Sequence, residues 1–594
     1  MAIVTLGYWV ITLTSQKELT LKDMQDNNFS AFRSGGVRHP PEADIESIRD
    51  LLQGYGSYRS ILKELIQNAE DAGSTRLDLI YLPGDPAAPH VLLRGPGLLV
   101  VNDGVFKSED RDAITQINLG TKGTEERSIG RFGKGLKSVF AWCEAFFIIA
   151  KTNLKQGWPY PMITDLFNPW HGWRHRDWED EFEVSREQLP VITQEHIVNI
   201  YEPGKSWLGF WFPLRNKSVT DTSELSEGWI HESFPGDNPR FFQELVCELQ
   251  ELAPSLVFLR NLKQLAMLNR TSECSDSLLL KFSLQSERIP APDVQPGTVM
   301  SVRGDLVLNS GNGDTSFHYC GFAGRLQEDA TTSQLKRSLG WPKVVKRTQG
   351  YNQASLPVKG DPHFATLISS HPAKKQGSKG SLELRWCVFF PVGKQPQEGP
   401  SVPLETFDHH ITINLHGFFF LDSERLRIDG LEDRFKLNEP RGNEVCINWN
   451  EFVATQGSLQ WLPQSLTDFA LHKRLNSKQC RELADALKKT WLWQGFQEAI
   501  CSENTWQPCW RAGIETWSHI STQNPPLIIP HTDEPEKILK SIPVLGDLSL
   551  QHSLVMLEDR GSVPGLHHDK FRSWPEEQVL HLLRSIDPVT NWSE

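Results

Sequence analysis

Three polar residues at helical spacing are the most chemically informative feature of this sequence. In residues 61–72, ILKELIQNAEDA, the apolar residues recur with the period of one helix face. Glu64, Asn68 and Asp71 stand at i, i+4 and i+7, so they lie on one side of the predicted helix. Two carboxylates and an amide on one face offer oxygen ligands to Mg²⁺ and can polarise a water molecule. The alternative is a solvated polar face, and the residues downstream decide between the two.

A glycine-rich segment follows at residues 119–140, LGTKGTEERSIGRFGKGLKSVF. A GxxGxG pattern leads directly into a predicted helix at residues 136–140, and its glycines are Gly130, Gly133 and Gly135. Glycines let backbone amides approach phosphate oxygens closely, and a helix N-terminus adds aligned N–H donors and a favourable dipole. Three lysines in the segment would add positive charge: Lys122, Lys134 and Lys137. The segment is therefore a candidate phosphate-binding loop.

Short predicted strands lie between the polar helix and the glycine-rich segment. Three strands are predicted from alternating or apolar runs, at residues 76–82, 90–94 and 98–102. The third strand ends in Asn102, Asp103 and Gly104. Polar side chains at a strand end are in a position to contact a ligand that the glycine-rich loop covers.

The order of these features resembles the GHKL ATP-binding fold of gyrase B, the ninety-kilodalton heat-shock chaperone, histidine kinases and MutL. The segments ELIQNAEDAG, VNDGVFKSED and SIGRFGKGLKSVF are most similar to the three motifs of the sacsin-type branch. The resemblance implies an α/β fold with a Bergerat-type ATP-binding sandwich, and ATP and Mg²⁺ as its ligands.

The resemblance also implies roles for individual residues. Glu64 would orient the attacking water, Asn68 would bind Mg²⁺, and Asp71 would line the pocket. The strand end and the glycine-rich lid would supply the other nucleotide contacts: Asn102, Asp103, Gly104, Thr121, Lys122, Gly130, Arg131, Phe132, Gly133, Lys134, Gly135 and Leu136.

Two positions depart from the family pattern. The aspartate that reads adenine in the family falls on Asn102, while the carboxylate present here is Asp103. Either side chain can accept a hydrogen bond from the adenine amine, so the choice between them stays open. The family often closes the pocket with a threonine on a later strand, which here is predicted at residues 207–215. That position falls on Leu208, and Ser206 is off register.

The length of 594 residues predicts about two to four domains. We expect an N-terminal arm at residues 1–44 and the ATP-binding domain at residues 45–268. An α+β domain follows at residues 269–450, and a mainly helical region at residues 451–594. Residues 409–430, HHITINLHGFFFLDSERLRIDG, resemble the segment that follows the ATPase domain in the sacsin type. The resemblance implies that the α+β domain is a transducer.

A transducer of this class usually brings one basic residue to the γ-phosphate, where charge builds up in the transition state. Arg425 is the candidate, because the resemblance carries an arginine in this segment, and Lys394 is the competitor. The alternative is that nearby carboxylates neutralise Arg425 in surface ion pairs of little energetic value.

Composition limits the partners. With 61 basic and 74 acidic side chains the net charge is −13, which argues against nucleic acid as the main partner. Nine scattered cysteines without a CxxC pair favour a reducing compartment and argue against a zinc site. No segment has the length and apolar character of a transmembrane helix, so we expect a cytoplasmic protein without a membrane partner.

These patterns predict a slow, Mg²⁺-dependent ATPase that works as a conformational switch, with a chaperone-like or remodelling action on a protein client. A nucleotide-dependent homodimer is compatible with this class. One alternative is an ATP-gated nucleic-acid clamp of the MutL or microrchidia type, in a prokaryotic antiviral defence system. Another is a module that binds nucleotide without turnover.

Overall fold

A mixed β-sheet of 14 strands runs through the larger part of the described chain. The computed structural model describes residues 41–106, 135–151, 162–169, 186, 189, 205–217, 229–270, 276–284, 295–310, 313–327, 333–334, 363–372, 379–392, 401–421, 427–428, 430–431, 444–490, 505–511, 514–520, 527–530 and 554–557.

Two helices precede the first strand. They are α1, Pro41–Tyr55, and α2, Tyr58–Asp71. The hydroxyl of Ser57 accepts the N–H of Ser60 and so caps the start of α2. Gly73, at φ +73°, follows the end of the helix in a left-handed conformation that glycine adopts without strain. The helix predicted over residues 61–72 is thereby confirmed.

Six strands in the first half of the sheet, together with one helix, position the predicted motifs. They are β1 Arg76–Leu82, β2 Gly97–Asn102, β3 Phe146–Lys151, β4 Met162–Phe167, β5 Trp207–Pro213, α3 Phe241–Leu252 and β6 Gln264–Arg270. The strands lie in the order β6-β1-β2-β5-β3-β4. The β1–β6 pair is parallel and the other pairs are antiparallel. Strand β2 is therefore near the middle, with β1 and β5 on either side.

The predicted strand at residues 90–94 is wrong. Val91–Leu93 is a short 3-10 helix, because Nδ1 of His90 accepts the N–H of Leu92 at 3.1 Å and turns the chain. Arg94 stabilises the same turn by donating to the carbonyl of Ala88.

The second half of the sheet continues without a break. Its strands are β7 Asp276–Leu284, β8 Val299–Ser310, β9 Gly313–Arg325, β10 His363–Pro372, β11 Gly380–Val388, β12 Phe390–Pro391, β13 Val402–Leu404 and β14 His409–Gly417. The path runs β7-β8-β9-β10-β14-β11-β12, and β13 pairs with β11. Strand β6 pairs with both β1 and β7, so residue 268 lies inside the sheet. The domain boundaries stay predictions.

Two large apolar cores stabilise this arrangement. The first packs helices α1 to α3 against one face of the sheet, and it also takes in Phe389, Phe390 and Phe418 from the second half of the chain. The second packs β10, β11 and β14 against three helices: α4 Glu444–Val453, α5 Leu462–Lys473 and α6 Ser477–Lys488. Residues of both halves of the chain therefore share the first core, to which the helix that carries Glu64 also belongs.

The C-terminal prediction is correct only in part. Helices α5 and α6 follow residue 451 as expected, but the described residues after position 504 are strands. They form a separate four-stranded sheet of β15 Thr505–Arg511, β16 Ile514–Ile520, β17 Leu527–Pro530 and β18 Leu554–Leu557. A mainly helical region at residues 451–594 is thus not confirmed. Within the described ranges, no helix is long and apolar enough to cross a membrane.

Candidate functional site

One face of α2 carries the three polar residues that the sequence singles out. Glu64 is 7% exposed, and Asn68 and Asp71 are half-buried. The opposite face is apolar and packs into the first core, with Leu62, Leu65 and Ile66 among its buried residues. Because the apolar face is fixed in the core, the polar face is fixed in orientation as well. The alternative of a fully solvated polar face does not fit the burial of Glu64.

The end of the predicted phosphate-binding loop contacts Glu64 directly. A 3-10 helix spans Gly135–Ala141, and it begins against the carboxylate of Glu64. A Cβ atom added to Gly135 would lie 2.7 Å from Cδ of Glu64, closer than real Cβ contacts come. The hydroxyl of Ser138 donates to the carbonyl of Gly135 at 2.7 Å and closes the first turn. Leu136 is half-buried beside the same core. A glycine at position 135 is therefore what allows this approach.

The strand-end motif contacts the other end of α2. The N–H of Val105 donates to the carbonyl of Ala72 at 3.1 Å. A Cβ atom added to Gly104 would lie 2.7 Å from Cβ of Ala72, so this position also requires close backbone approach. The strand-end motif and the last glycine of the glycine-rich segment thus both contact α2.

Asn102 is buried, and its side-chain oxygen is fully engaged. Oδ1 accepts from the hydroxyl of Ser74 at 2.8 Å and from the N–H of Gly104 at 3.0 Å. Since a backbone N–H can only donate, the atom that faces Gly104 has to be the oxygen of the amide. Both lone pairs of that oxygen are used, and the polar group of Asn102 that remains is its NH₂ donor.

Asp103 has a structural role at the start of β1. Its Oδ1 accepts the backbone N–H groups of Thr75 at 2.7 Å and Arg76 at 2.9 Å, and Oδ2 accepts the hydroxyl of Thr75 at 2.5 Å. These bonds tie the end of β2 to the beginning of β1. Three protein donors thus use most of the acceptor capacity of Asp103, whereas the oxygen of Asn102 has none left.

Leu208 lies where the sequence predicted it. It pairs with Asn102 across the β2–β5 ladder, and its side chain is 6% exposed. Ser206 precedes β5 and does not take that place. An apolar side chain thus stands beside Asn102 in the sheet.

The structure assigns no place to several predicted residues. Thr121, Lys122, Gly130, Arg131, Phe132, Gly133 and Lys134 lie outside the described residues, as do Lys394 and Arg425. Lys137 is described and is 2% exposed, with its ammonium group 4.2 Å from the centroid of the Phe167 ring. A cation–π contact of this kind places Lys137 in the core of the fold.

A buried arginine, which the sequence analysis missed, anchors the segment that begins at Gly135. Arg215 is 1% exposed and forms an ion pair with Glu144 at 2.5 Å. Its other N–H groups donate to carbonyl oxygens of Phe140, Ala141, Cys143 and Ser233. All five donors of the guanidinium are thereby used, which a buried charge requires. The arginine holds the C-terminal end of the 3-10 helix whose first residue contacts Glu64.

Glu70 is a second buried charge that the sequence did not reveal. Its carboxylate is 2% exposed and accepts the backbone N–H groups of Arg260, Asn261 and Leu262 at 2.7 to 3.0 Å. The partners are 190 to 192 residues away in the chain, which is why no local pattern indicates them. Glu70 thereby fixes the C-terminal end of α2, and with it Asn68 and Asp71, against the segment before β6.

Lys63 is next to Glu64 and faces the second half of the chain. Its Nζ donates to the carbonyl of Pro391 at 2.7 Å. Burial and the neighbouring Arg59 lower the pKa of Lys63 to about 8, against opposing effects of Cys387, Glu248 and Glu64. The helix of the candidate site is therefore linked by a hydrogen bond to the strand pair β11–β12.

Two comparisons with known proteins give a match. Residues 42–280 match the family model of the Sacsin domain. The chain is 23% identical to sacsin of Homo sapiens over 534 residues, which cover 84% of this chain and 10% of that protein. The chain thus spans about a tenth of the length of the curated relative that it matches. The resemblance to the sacsin-type domain that the sequence motifs indicate is confirmed.

Proposed function

We propose that this chain is a Mg²⁺-dependent ATPase of the GHKL class, in which ATP binding acts as a conformational switch. The observation that supports the proposal is the contact of Gly135 and of the Asn102–Gly104 turn with the single helix that carries Glu64, Asn68 and Asp71. Gly135 lies against the carboxylate of Glu64, and the turn after β2 contacts Ala72 at the C-terminal end of the same helix. The match of residues 42–280 to the Sacsin domain supports the same assignment.

The residues present fit a metal-bound nucleotide. Asn68 would hold Mg²⁺ through its side-chain oxygen, and Asp71 would line the pocket beside it. Oε1 of Gln67 is buried and has no hydrogen-bond partner among the residues that the structure describes. It lies one residue before Asn68, so a buried acceptor is available on this part of α2. When bound, Mg²⁺ supplies charge that neutralises the phosphate oxygens.

Glu64 would orient the water that attacks the γ-phosphate. Glu64 as a whole is 7% exposed and its carboxylate lies against Gly135, so bulk water has little access to it. A poorly solvated carboxylate interacts more strongly with a single water molecule than an exposed one does. Arg425, or Lys394 in its place, would approach the γ-phosphate from the proposed transducer, residues 269–450.

Hydrolysis with and without Mg²⁺ tests this proposal. The full chain should hydrolyse ATP with Mg²⁺ and lose the activity when the metal is chelated. Glu64→Ala should keep its affinity for ATP within about threefold and lose at least about 10²-fold in turnover, because water orientation matters only in the hydrolytic step. Glu46→Ala, which removes an exposed carboxylate of α1, is the matched control and should hydrolyse ATP at the native rate. Native turnover in Glu64→Ala would refute the role of Glu64.

The proposed action of the ATPase is to remodel a protein client. It would do so through a nucleotide-dependent conformational change in residues 269–450. The net charge of −13 supports protein over nucleic acid as the partner. The hydrolysis assay repeated with an unfolded protein, duplex DNA or RNA separates the outputs. Stimulation by the unfolded protein is expected, and stimulation by nucleic acid alone would instead favour a nucleic-acid clamp.

A further inference from the structure

A strained turn in the second half of the chain packs against the helix of the candidate site. Strands β11 and β12 pair through Cys387 with Pro391 and through Val388 with Phe390, which leaves Phe389 at the tip. Phe389 has φ +64°, a left-handed conformation that costs a residue with a Cβ about 1–2 kcal/mol. Such a conformation persists only where surrounding contacts impose it.

Phe389 contacts residues of the second half of the chain and lies in the core that contains α2. The N–H of Phe389 donates to Nδ1 of His416 at 3.2 Å, and its ring lies 5.1 Å from that of His416 and 5.4 Å from that of Phe418. Phe389 and Phe390 belong to the same apolar core as α2. The turn is thus part of the first core, although β11 itself also faces the second core.

Lys63 contributes the polar contact of α2 with this turn. Its Nζ donates to the carbonyl of Pro391, directly after the tip. The surrounding ionisable groups are Arg59 and Glu64 on α2, Glu248 on α3 and Cys387 on β11. Arg59 is itself paired with Glu248 at 2.7 Å. Removing an ammonium group from water is unfavourable unless it keeps a hydrogen bond. The buried Lys63 is therefore most stable when the carbonyl of Pro391 stays within hydrogen-bond distance.

A second link reaches the same region from the other end of α2. Glu70 holds the backbone of Arg260, and the Arg260 guanidinium lies 5.9 Å from the centroid of the Phe418 ring. The ring of Phe258 stacks on His416 at 4.9 Å. Helix α2 therefore contacts the surroundings of Phe389 directly through Lys63 and indirectly through Glu70.

We propose that Lys63 is a positioning residue that couples the Glu64 face of α2 to the turn at Phe389. Lys63 and Glu64 are consecutive, so a shift of α2 when a nucleotide contacts Glu64 moves the donor that holds Pro391. Strand β11 continues from the turn into the sheet that packs on α4 to α6, which carries the displacement to the second core. The proposal rests on the proposed function, because the shift is driven by nucleotide.

Hydrogen exchange in the full chain tests the coupling. The relevant amides are those of Phe389 and Val392, which donate to His416 and to the carbonyl of Trp386. Lys63→Met keeps the length of the side chain and removes the donor, while Lys63→Arg keeps a donor. Lys263→Met, which replaces an exposed lysine, is the control. Without nucleotide, both amides should exchange at least fivefold faster in Lys63→Met than in the native chain, with Lys63→Arg between the two.

Binding and turnover complete the test. Lys63→Met should bind ATP within threefold of native and lose at least tenfold in turnover, and ATP should slow the exchange of the two amides in the native chain alone. Unchanged exchange in nucleotide-free Lys63→Met would overturn the proposal, and so would an equal loss of affinity and turnover. If the native chain binds no ATP, the proposed function fails. The nucleotide-free comparison then still decides whether Lys63 holds the turn.

Discussion

Replacement of Gly135 by alanine separates the geometry of the candidate site from the stability of the fold. The added Cβ atom would lie 2.7 Å from Cδ of Glu64, whereas ordinary contacts begin at 3.4 Å. The carboxyl carbon therefore has to move by about 0.7 Å, and Oε2, the atom nearest the new methyl group, has to move further. The obstacle is the flexible end of a side chain, so the backbone of α2 can stay in place.

The expected effect on turnover follows from this displacement. A misplacement of about 1 Å in a catalytic group can reduce the rate by about 10²-fold. That factor corresponds to about 2.7 kcal/mol in the activation free energy. The free energy of unfolding should change by less than about 1 kcal/mol, since the clash is with the end of a side chain and not with the backbone.

Steady-state ATP hydrolysis, combined with urea unfolding of the same preparations, measures both quantities. Gly209→Ala is the control, because a Cβ atom there meets its nearest neighbours at 3.4 to 3.5 Å, in ordinary contact. It should keep native turnover. If Gly135→Ala hydrolyses ATP within twofold of native, the carboxylate of Glu64 does not act from the position that the structure gives it.

Further predictions concern the residues around α2. Asn102→Asp replaces the NH₂ donor of Asn102 by an acceptor, which matches the adenine amine but not the carbonyl oxygen that guanine has in its place. Calorimetry should show at least fivefold tighter ATP binding and no gain in GTP binding. Equal ATP affinities before and after would place the adenine amine elsewhere. Glu70→Gln sets an NH₂ group against backbone N–H donors, so the free energy of unfolding in urea should fall by about 2–3 kcal/mol, and no loss would contradict the role of Glu70. Because the folded-state pKa of Lys63 is about 8, below the ordinary 10.5, the unfolded chain binds more protons between these values. The contribution of Lys63 to the free energy of unfolding therefore rises with pH. Between pH 7 and 9.5 the rise is about 2 kcal/mol. Urea unfolding should show this rise in the native chain relative to Lys63→Met, and parallel profiles would refute the lowered pKa.

Sequence patterns alone predicted those parts of the site that depend on residues close together in the chain. The period of apolar residues in α2 fixes which side Glu64, Asn68 and Asp71 share. The strand that carries Leu208 was predicted at residues 207–215, but its pairing with Asn102 is known only from the structure. Partners that depend on tertiary packing were not predictable. Glu70 and Arg215 look like ordinary charged residues in sequence, and their hydrogen-bond partners come from distant segments.

Two errors have a local physical cause. Residues 90–94 have the apolar composition of a strand, but the His90 ring captures a backbone N–H and favours a turn. In the C-terminal region, Thr505–Arg511 and Ile514–Ile520 form an antiparallel strand pair within the range predicted as mainly helical. These strands are separated by two residues, which is a hairpin signal.

Calorimetric titration with Mg²⁺ and ATP tests the central claim most directly, because the converging motifs are proposed to form a nucleotide site. The native full chain should bind ATP with a measurable heat that depends on Mg²⁺. Asn68→Ala should abolish that binding, since it removes the neutral oxygen ligand on α2, while Asn309→Ala on β8 should bind as the native chain does. Absence of binding by the native chain, or equal affinity in Asn68→Ala, would contradict the account.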